Sequence, residues 1–207
     1  SGLFTAASGL VPDGLTVDGI TYRDTAGDPL PAIADPRALY LNARQGMASS
    51  DFSGVTLLLP KDSGLNELAE QINGAWQKDC SLFFSIEEVP QEEFDQRIAS
   101  GSYTIALAPI RAEGGSVYQM LQQFGSAESG LTGWSDPIYL QRLDESTRQT
   151  GRTRCQLLSQ CERQLLEGCS VVPLLSQQKR LLVADGISGL VFDPFTPVLD
   201  LTWTEKN

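Results

Sequence analysis

Residues 55–110 read VTLLLPKDSGLNELAEQINGAWQKDCSLFFSIEEVPQEEFDQRIASGSYTIALAPI, and the succession of patterns in this stretch decides the fold. Val55 to Leu59 is an unbroken apolar run stopped by Pro60, the pattern of a strand covered on both faces. Leu65, Leu68, Ala69, Ile72, Ala75 and Trp76 then recur at three- and four-residue steps, the stripe of an amphipathic helix. Ser81 to Val89 returns as a strand with Leu82, Phe84 and Ile86 on one face. Pro90 opens a second helix: Glu92 and Glu93 occupy its first turn, Phe94 and Ile98 lie one turn apart, and Gly101 stops it. Tyr103 to Ala108 is a third, uncharged strand. Two crossovers of this length place their strands parallel, with right-handed connections. The expected class is α/β, a mostly parallel sheet flanked by helices.

Upstream, residues 1–34 are rich in Gly, Pro, Asp and Thr and show no sustained period, which predicts an irregular lead-in. A structureless stretch of that length is uncommon in a compact domain and points to packing on something outside it. Asp35-Pro36 then caps and starts a helix with Leu39, Tyr40 and Ala43 on its buried side and Gly46 at its end. Downstream, Arg111 to Ser116 forms a loop, and Val117, Met120, Leu121 and Phe124 mark one face of a helix. Residues 125–136 are a Gly-rich loop carrying Trp134, and Pro137 starts a further helix with Ile138, Tyr139, Arg142 and Leu143 along it. Arg152 to Gly168 is a longer helix with Leu158, Cys161 and Leu165 facing inward. Val171 to Leu175 and Leu181 to Val183 read as two strands joined by the polar turn 176–180. The division expected is a lead-in at 1–34, an α/β body at 35–184 and a return segment at 185–207, in which Trp203 packs a last strand.

Composition narrows the function. Lys plus Arg number 15 against 26 acids, a formal net charge of −11 and a pI near 4.4, a balance that repels polyphosphate partners and disfavours nucleic acid. No apolar run approaches the roughly 20 residues that span a bilayer, and no signal-peptide pattern opens the chain. Histidine is absent, which removes the commonest general base and the most frequent metal ligand. Cys80, Cys155, Cys161 and Cys169 lack the close pairs of a zinc site. They read as small buried apolar side chains, with one disulfide among the last three as the alternative.

Ligands of open α/β sheets sit beyond the carboxyl ends of the strands. That rule selects Lys61-Asp62-Ser63 after the first strand and, above it, Arg111-Ala112-Glu113-Gly114-Gly115-Ser116 after the third. The second loop carries both signs of charge and two glycines that let a ligand approach the backbone. Glu113 suits an ammonium and Arg111 a carboxylate; solvated turn residues are the even alternative. Trp134 is placed either to stack on a ligand or to pack against Pro137. No G-x-S-x-G elbow, dinucleotide fingerprint or Walker loop occurs. Ser176-Gln-Gln-Lys179 matches S-x-x-K without its companion motifs, and the acid pairs Glu87/Glu88 and Glu92/Glu93 flank element ends. Nothing assembles a nucleophile, a base and an oxyanion site, so neither an enzyme nor a cofactor is expected.

The order of these stretches resembles the C-terminal lobe of family 5 extracellular solute-binding proteins, the oligopeptide- and dipeptide-binding receptors of ABC importers. Asp35-Pro36-Arg37-Ala38 with Leu39 to Gly46 is similar to their D-P-x-x-A helix, and Val55 to Pro60 to their L-T-L-L-Y strand. Phe94 to Tyr103 is similar to F-x-x-x-L-x-x-G-x-Y, Gly133 to Tyr139 to G-Y-x-N-P-x-Y, and Glu162 to Leu175 to E-x-x-L-x-x-x-x-P-x-I-P-L. Gly9-Leu10-Val11-Pro12 resembles the segment where those proteins leave their first lobe. The resemblance implies the second lobe of a type II periplasmic-binding-protein-like fold, closing with a missing N-terminal lobe on a peptide or other small solute. It also implies delivery to the membrane permease of an ABC importer, from the cell surface or periplasm, with membrane anchoring through the missing N-terminal part as a lipoprotein. By position Ile110 stands where many members carry the Trp of W-x-x-D, and Glu113 stands for the Asp that meets the ligand's α-amino group. Strand topology and the resemblance together give Ile110, Arg111, Glu113, Gly114, Gly115 and Trp134 as the candidate ligand contacts. An oligosaccharide-binding relative and the solute-sensing domain of a transcription regulator are the alternatives.

Overall fold

The computed structural model describes residues 4–30, 33–46, 54–111, 113–125, 131–177, 181–192 and 199–206, with the side chain of Glu113 excepted. In chain order, β1 (Phe4–Ala6), β2 (Thr16–Val17), β3 (Ile20–Thr21) and α1 (Tyr22–Ala26) come first. They are followed by α2 (Pro36–Gln45), β4 (Thr56–Pro60), α3 (Asn66–Cys80), β5 (Ser85–Val89), α4 (Gln91–Ser100) and β6 (Ile105–Ala106). A 3-10 turn at Glu113–Gly115 leads into α5 (Val117–Gln122), α6 (Pro137–Thr147) and α7 (Gly151–Glu167). Short strands complete the chain: β7 (Leu175–Gln177), β8 (Ile187–Ser188), β9 (Val191–Phe192), β10 (Leu199–Asp200) and β11 (Glu205–Lys206). These elements form two compact units, Pro31–Ile110 and, in two segments, Ser1–Leu30 with Arg111–Asn207.

In the unit Pro31–Ile110, β4 lies between β5 and β6 and runs parallel to both. Alternation along β4 sends its leucines to opposite faces. Leu57 and Leu59 pack with Ala69 and Leu65 of the α3 side, and Leu58 packs with Val89 and Phe94 on the α4 side. Each leucine is at most 2% exposed, a burial that contributes about 2 kcal/mol per side chain before conformational entropy is subtracted. The strand expected from Ser81 begins only at Ser85. Ser81 takes the left-handed conformation that ends α3, and the buried Asn73 side chain then holds both backbone groups of Phe84, donating to its O at 2.8 Å and accepting from its N at 3.0 Å. The third strand is likewise short, because only Ile105 and Ala106 pair with Leu57 and Leu58. Asp35 caps α2 by accepting from Ala38 N at 2.9 Å, but none of that helix is buried and Leu39 is 55% exposed. The inward face read for α2 is corrected accordingly.

The other unit is built on α7, whose stripe of Cys155, Leu158, Cys161, Glu162 and Leu165 is at most 1% exposed. The α5 face and Tyr139 of α6 are buried as well, with the Tyr139 hydroxyl donating to Leu121 O at 2.7 Å. The lead-in read as irregular instead forms regular elements on this helix. Asp18-Gly19, with φ of 51° and 79°, turns β2 back on β3, the dipeptide that tight hairpins favour, and Tyr22 of α1 is fully buried. The pair of strands expected at 171–175 and 181–183 is also corrected. The strand is Leu175–Gln177 and its antiparallel partner is Phe4–Ala6; Leu181 to Val183 join no ladder, and residues 178–180 of the expected turn, with Lys179 of the S-x-x-K match, lie outside the described residues. Cys155 and Cys161 are buried and free, and Cys80 and Cys169 are free as well. Trp203, expected to pack a strand, is 73% exposed, because Thr202–Trp203 is a turn between β10 and β11. No helix among the described residues is long and apolar enough to cross a membrane.

Candidate functional site

The loop chosen from strand topology begins where the units divide: Ile110 is the last residue of one and Arg111 opens the second segment of the other. Ile110 is half-buried and Arg111 exposed. The Arg111 carbonyl accepts from Gln123 Nε2 at 3.2 Å, which ties the loop to the residue following α5. Gly114 and Gly115 both hold left-handed backbone, φ 62° and 63°. Side chains rarely adopt that conformation twice in succession, so the pair fixes the tight turn and leaves its backbone uncovered. Ser116 then caps α5, its Oγ accepting from Gln119 N at 3.3 Å. The Glu113 carboxylate lies outside the described residues. Trp134, half-buried, sets its ring edge-on to Tyr139 at 5.1 Å between centroids. It therefore packs as one of the two readings required, with Tyr139 in the place expected of Pro137.

Sequence reasoning missed the polar centre of this unit. Glu162 has a fully buried side chain, and its carboxylate has four donors. Val11 N reaches Oε1 at 2.9 Å and Arg23 Nη2 reaches the same oxygen at 2.6 Å; the Tyr22 hydroxyl and Arg23 Nη1 reach Oε2 at 2.9 and 3.0 Å. Arg23 also donates to the carbonyls of Val11 and Gly27. One acid thereby binds both ends of residues 11–23 to α7. Gly9 makes this possible, since a Cβ there would stand 2.3 Å from Arg23 Nη2 and 2.7 Å from Glu162 Oε1. The signal was present in the sequence: Glu162 falls on the apolar stripe beside Leu158, Cys161 and Leu165, where a charge needs a buried partner.

The surrounding electrostatics suit a scaffold. Burial, then the neighbouring Glu162 charge, pushes the Tyr22 phenol far above its ordinary range, and burial does the same to Tyr139. Burial raises the Cys161 thiol to about 12, so it stays protonated at neutral pH and is a poor nucleophile. No group of three or more potential metal ligands occurs among the described residues.

No protein-family model and no curated protein matches the chain by sequence. Solved structures match it in fold. The peptide-binding pheromone receptor PrgZ superposes with a TM-score of 0.75 at 17% identity, covering 99% of this chain and 40% of that one. The substrate-binding domain of an oligopeptide ABC transporter from Bacillus anthracis str. Ames gives 0.73 at 17% identity, covering 98% and 41%. A dipeptide-binding protein from Pseudoalteromonas sp. SM9913, in complex with Met-Leu, gives 0.74 at 16% identity, covering 100% and 41%. The chain thus has the type II periplasmic-binding-protein-like α/β fold of these peptide-binding proteins and spans about two-fifths of their length, the fold that the sequence resemblance implied.

Proposed function

We propose that this chain is the solute-binding lobe of an ABC importer's receptor and that its ligand is a peptide. The observation carrying this reading is the fold likeness to three peptide-binding proteins over 98–100% of the chain. In this reading a first lobe of the same protein completes the cleft, the receptor works at the cell surface or in the periplasm, and a membrane permease receives the solute. Arg111, Glu113, Gly114 and Gly115 meet the peptide's charged ends and backbone, with the exposed part of Trp134 beside them; Ile110 enters through the resemblance alone. Backbone-directed recognition of this kind tolerates varied side chains. Calorimetry on the full-length receptor tests it. Glu113→Gln is expected to weaken peptides with a free α-amino group about tenfold, the loss of one charge-assisted hydrogen bond, and to leave N-acetylated peptides almost unchanged. Equal losses for the two series would remove Glu113 from the ammonium role.

A further inference from the structure

Between the β2–β3 turn, the start of α5 and α7, all within the unit that contains α7, lies an open pocket of about 170 Å3. Its walls include Asp18, Gly115, Ser116, Tyr118, Arg154 and Leu158. Three stretches far apart in sequence converge here, and one of the wall residues is Gly115 of the loop described above. The charged members are Asp18 and Arg154, paired at 3.1 Å with their side chains 32% and 29% exposed.

The two partners are not equally occupied. Asp18 uses both oxygens, Oδ1 on Arg154 Nη1 and Oδ2 on Gly151 N at 2.8 Å. A guanidinium carries five N–H donors, and among the described residues Arg154 directs only Nη1 to a partner; its Nε, also without one, is shut off from solvent, so the donors left to a ligand are the remaining N–H groups of Nη1 and Nη2. The unmet capacity of the pocket is therefore donor capacity on a planar cation, which matches the two oxygens of a carboxylate. The adjacent Asp18 charge disfavours a dianion such as phosphate. A volume of about 170 Å3 is well below the several hundred typical of drug-sized sites and suits one amino-acid-sized group. Leu158 supplies an apolar wall, and Gly115 a wall without a Cβ. We propose that this pocket binds a carboxylate borne on a group the size of one amino-acid residue, through the unused donors of Arg154.

This inference stands apart from the peptide reading of Glu113, and its failure would leave that reading untouched. The test is an NMR titration of the isotope-labelled 207-residue chain with N-acetyl-L-alanine, with its methylamide, and with chloride and inorganic phosphate at matched ionic strength. The acid is expected to shift the Gly115 amide and Arg154 Nε signals saturably, with no such response to the other three. Arg154→Gln should raise the half-saturating concentration about tenfold or more. Asp18→Asn keeps an acceptor for Gly151 N and removes the competing charge, so it should lower that concentration, which keeps the proposal testable should Arg154→Gln misfold. Equal shifts with the methylamide, chloride or phosphate would overturn it, as would an unchanged response in a folded Arg154→Gln chain or weaker binding in Asp18→Asn.

Discussion

Leu58 and Glu162 are both shielded completely from solvent, yet the units built around them are held by opposite chemistry. Leu58 packs in a cluster of hydrophobic side chains that includes Val89, Phe94, Ile98 and Ala106, and the sheet is stabilised by area removed from water on its two faces. Around Glu162 a charge has been taken out of water, which costs several kcal/mol and is offset only because every lone pair in use has a donor. The first arrangement tolerates apolar side chains of the right volume. The second tolerates none, because shape is not what it depends on. The sheet sets its three parallel strands in the order β5-β4-β6, whereas the Glu162 clasp fastens a distant stretch, residues 11–23, to the helix that organises the other unit.

The largest effect is expected from an isosteric change. Glu162→Gln preserves volume but leaves Arg23 with only the exposed Asp13, 3.8 Å from its Nε, as an acidic neighbour among the described residues, and sets an amide NH2 against donors. The expected loss is about 3–5 kcal/mol, read from urea unfolding by Trp134 fluorescence in a chain with Trp76 and Trp203 replaced by Phe. Replacing both charges together, Arg23→Met with Glu162→Met, should cost less than the single change, although Val11 N then lacks its acceptor. A single change that costs under about 1 kcal/mol, or a double change that costs more, would erase the contrast between the two units. In the sheet the isosteric change is the mild one. Leu58→Met should cost less than about 1.5 kcal/mol and Leu58→Ala about 3, with Trp76, which packs edge-on to Phe84 at 4.7 Å, as the reporter.

That same contrast explains what the sequence made legible. Around Leu58 the elements announce themselves, since apolar burial is the signal periodicity reads: the leucine run holds, though the strand takes in Pro60, the Leu65–Trp76 stripe holds except at the exposed Ala75, and the Pro90 and Gly101 boundaries hold. Errors there come from hydrogen bonds that no pattern encodes, as where Asn73 occupies Phe84 and delays β5. In the other unit the α5 and α7 faces were legible for the same reason. The lead-in was not, because a strand pair of two residues each has no period, and only Asp18-Gly19 marked it. Glu162 entered the sequence reading only as the first residue of a family stretch, and its buried role was not legible because its partner Arg23 lies 139 positions away. The loop at Arg111–Ser116 was reachable from topology alone, whereas the Asp18–Arg154 pocket draws on three separated stretches and has no local signature.

A smaller effect tests the geometry of the clasp rather than its charge. Gly9→Ala puts a methyl within 3 Å of both Arg23 Nη2 and Glu162 Oε1. Neither atom can move away freely, since each is held by other bonds, so a loss of about 2 kcal/mol is expected. A neutral result would show that the clasp slides, and that Arg23 and Glu162 are joined less rigidly than their distances indicate.

The last comparison is made with pH, where near neutrality the expected effect is nil. The Cys161 thiol lies at about 12 in the fold against an ordinary value of 9.0, with burial as the main cause. Above pH about 9 the unfolded chain releases this proton while the folded chain keeps it, so the unfolded state binds fewer protons and stability falls as pH rises toward 12. Below 9 the contribution is complete. Cys155, raised first by burial, adds to this from about 9 upward, and Tyr22 and Tyr139, raised mainly by burial, act in the same direction from about 10 upward, so four groups in this unit oppose alkali together. Among the described residues of the unit Pro31–Ile110, Tyr103 is the one acid raised by burial. Unfolding midpoints in urea, followed from pH 8 to 11, should therefore fall more steeply at Trp134 than at Trp76. Cys161→Ala should make the first part of that fall shallower, leaving the share of Cys155, until the phenols begin to titrate. Parallel curves at the two tryptophans would mean that burial of polar groups, rather than of apolar surface, does not separate the two units after all.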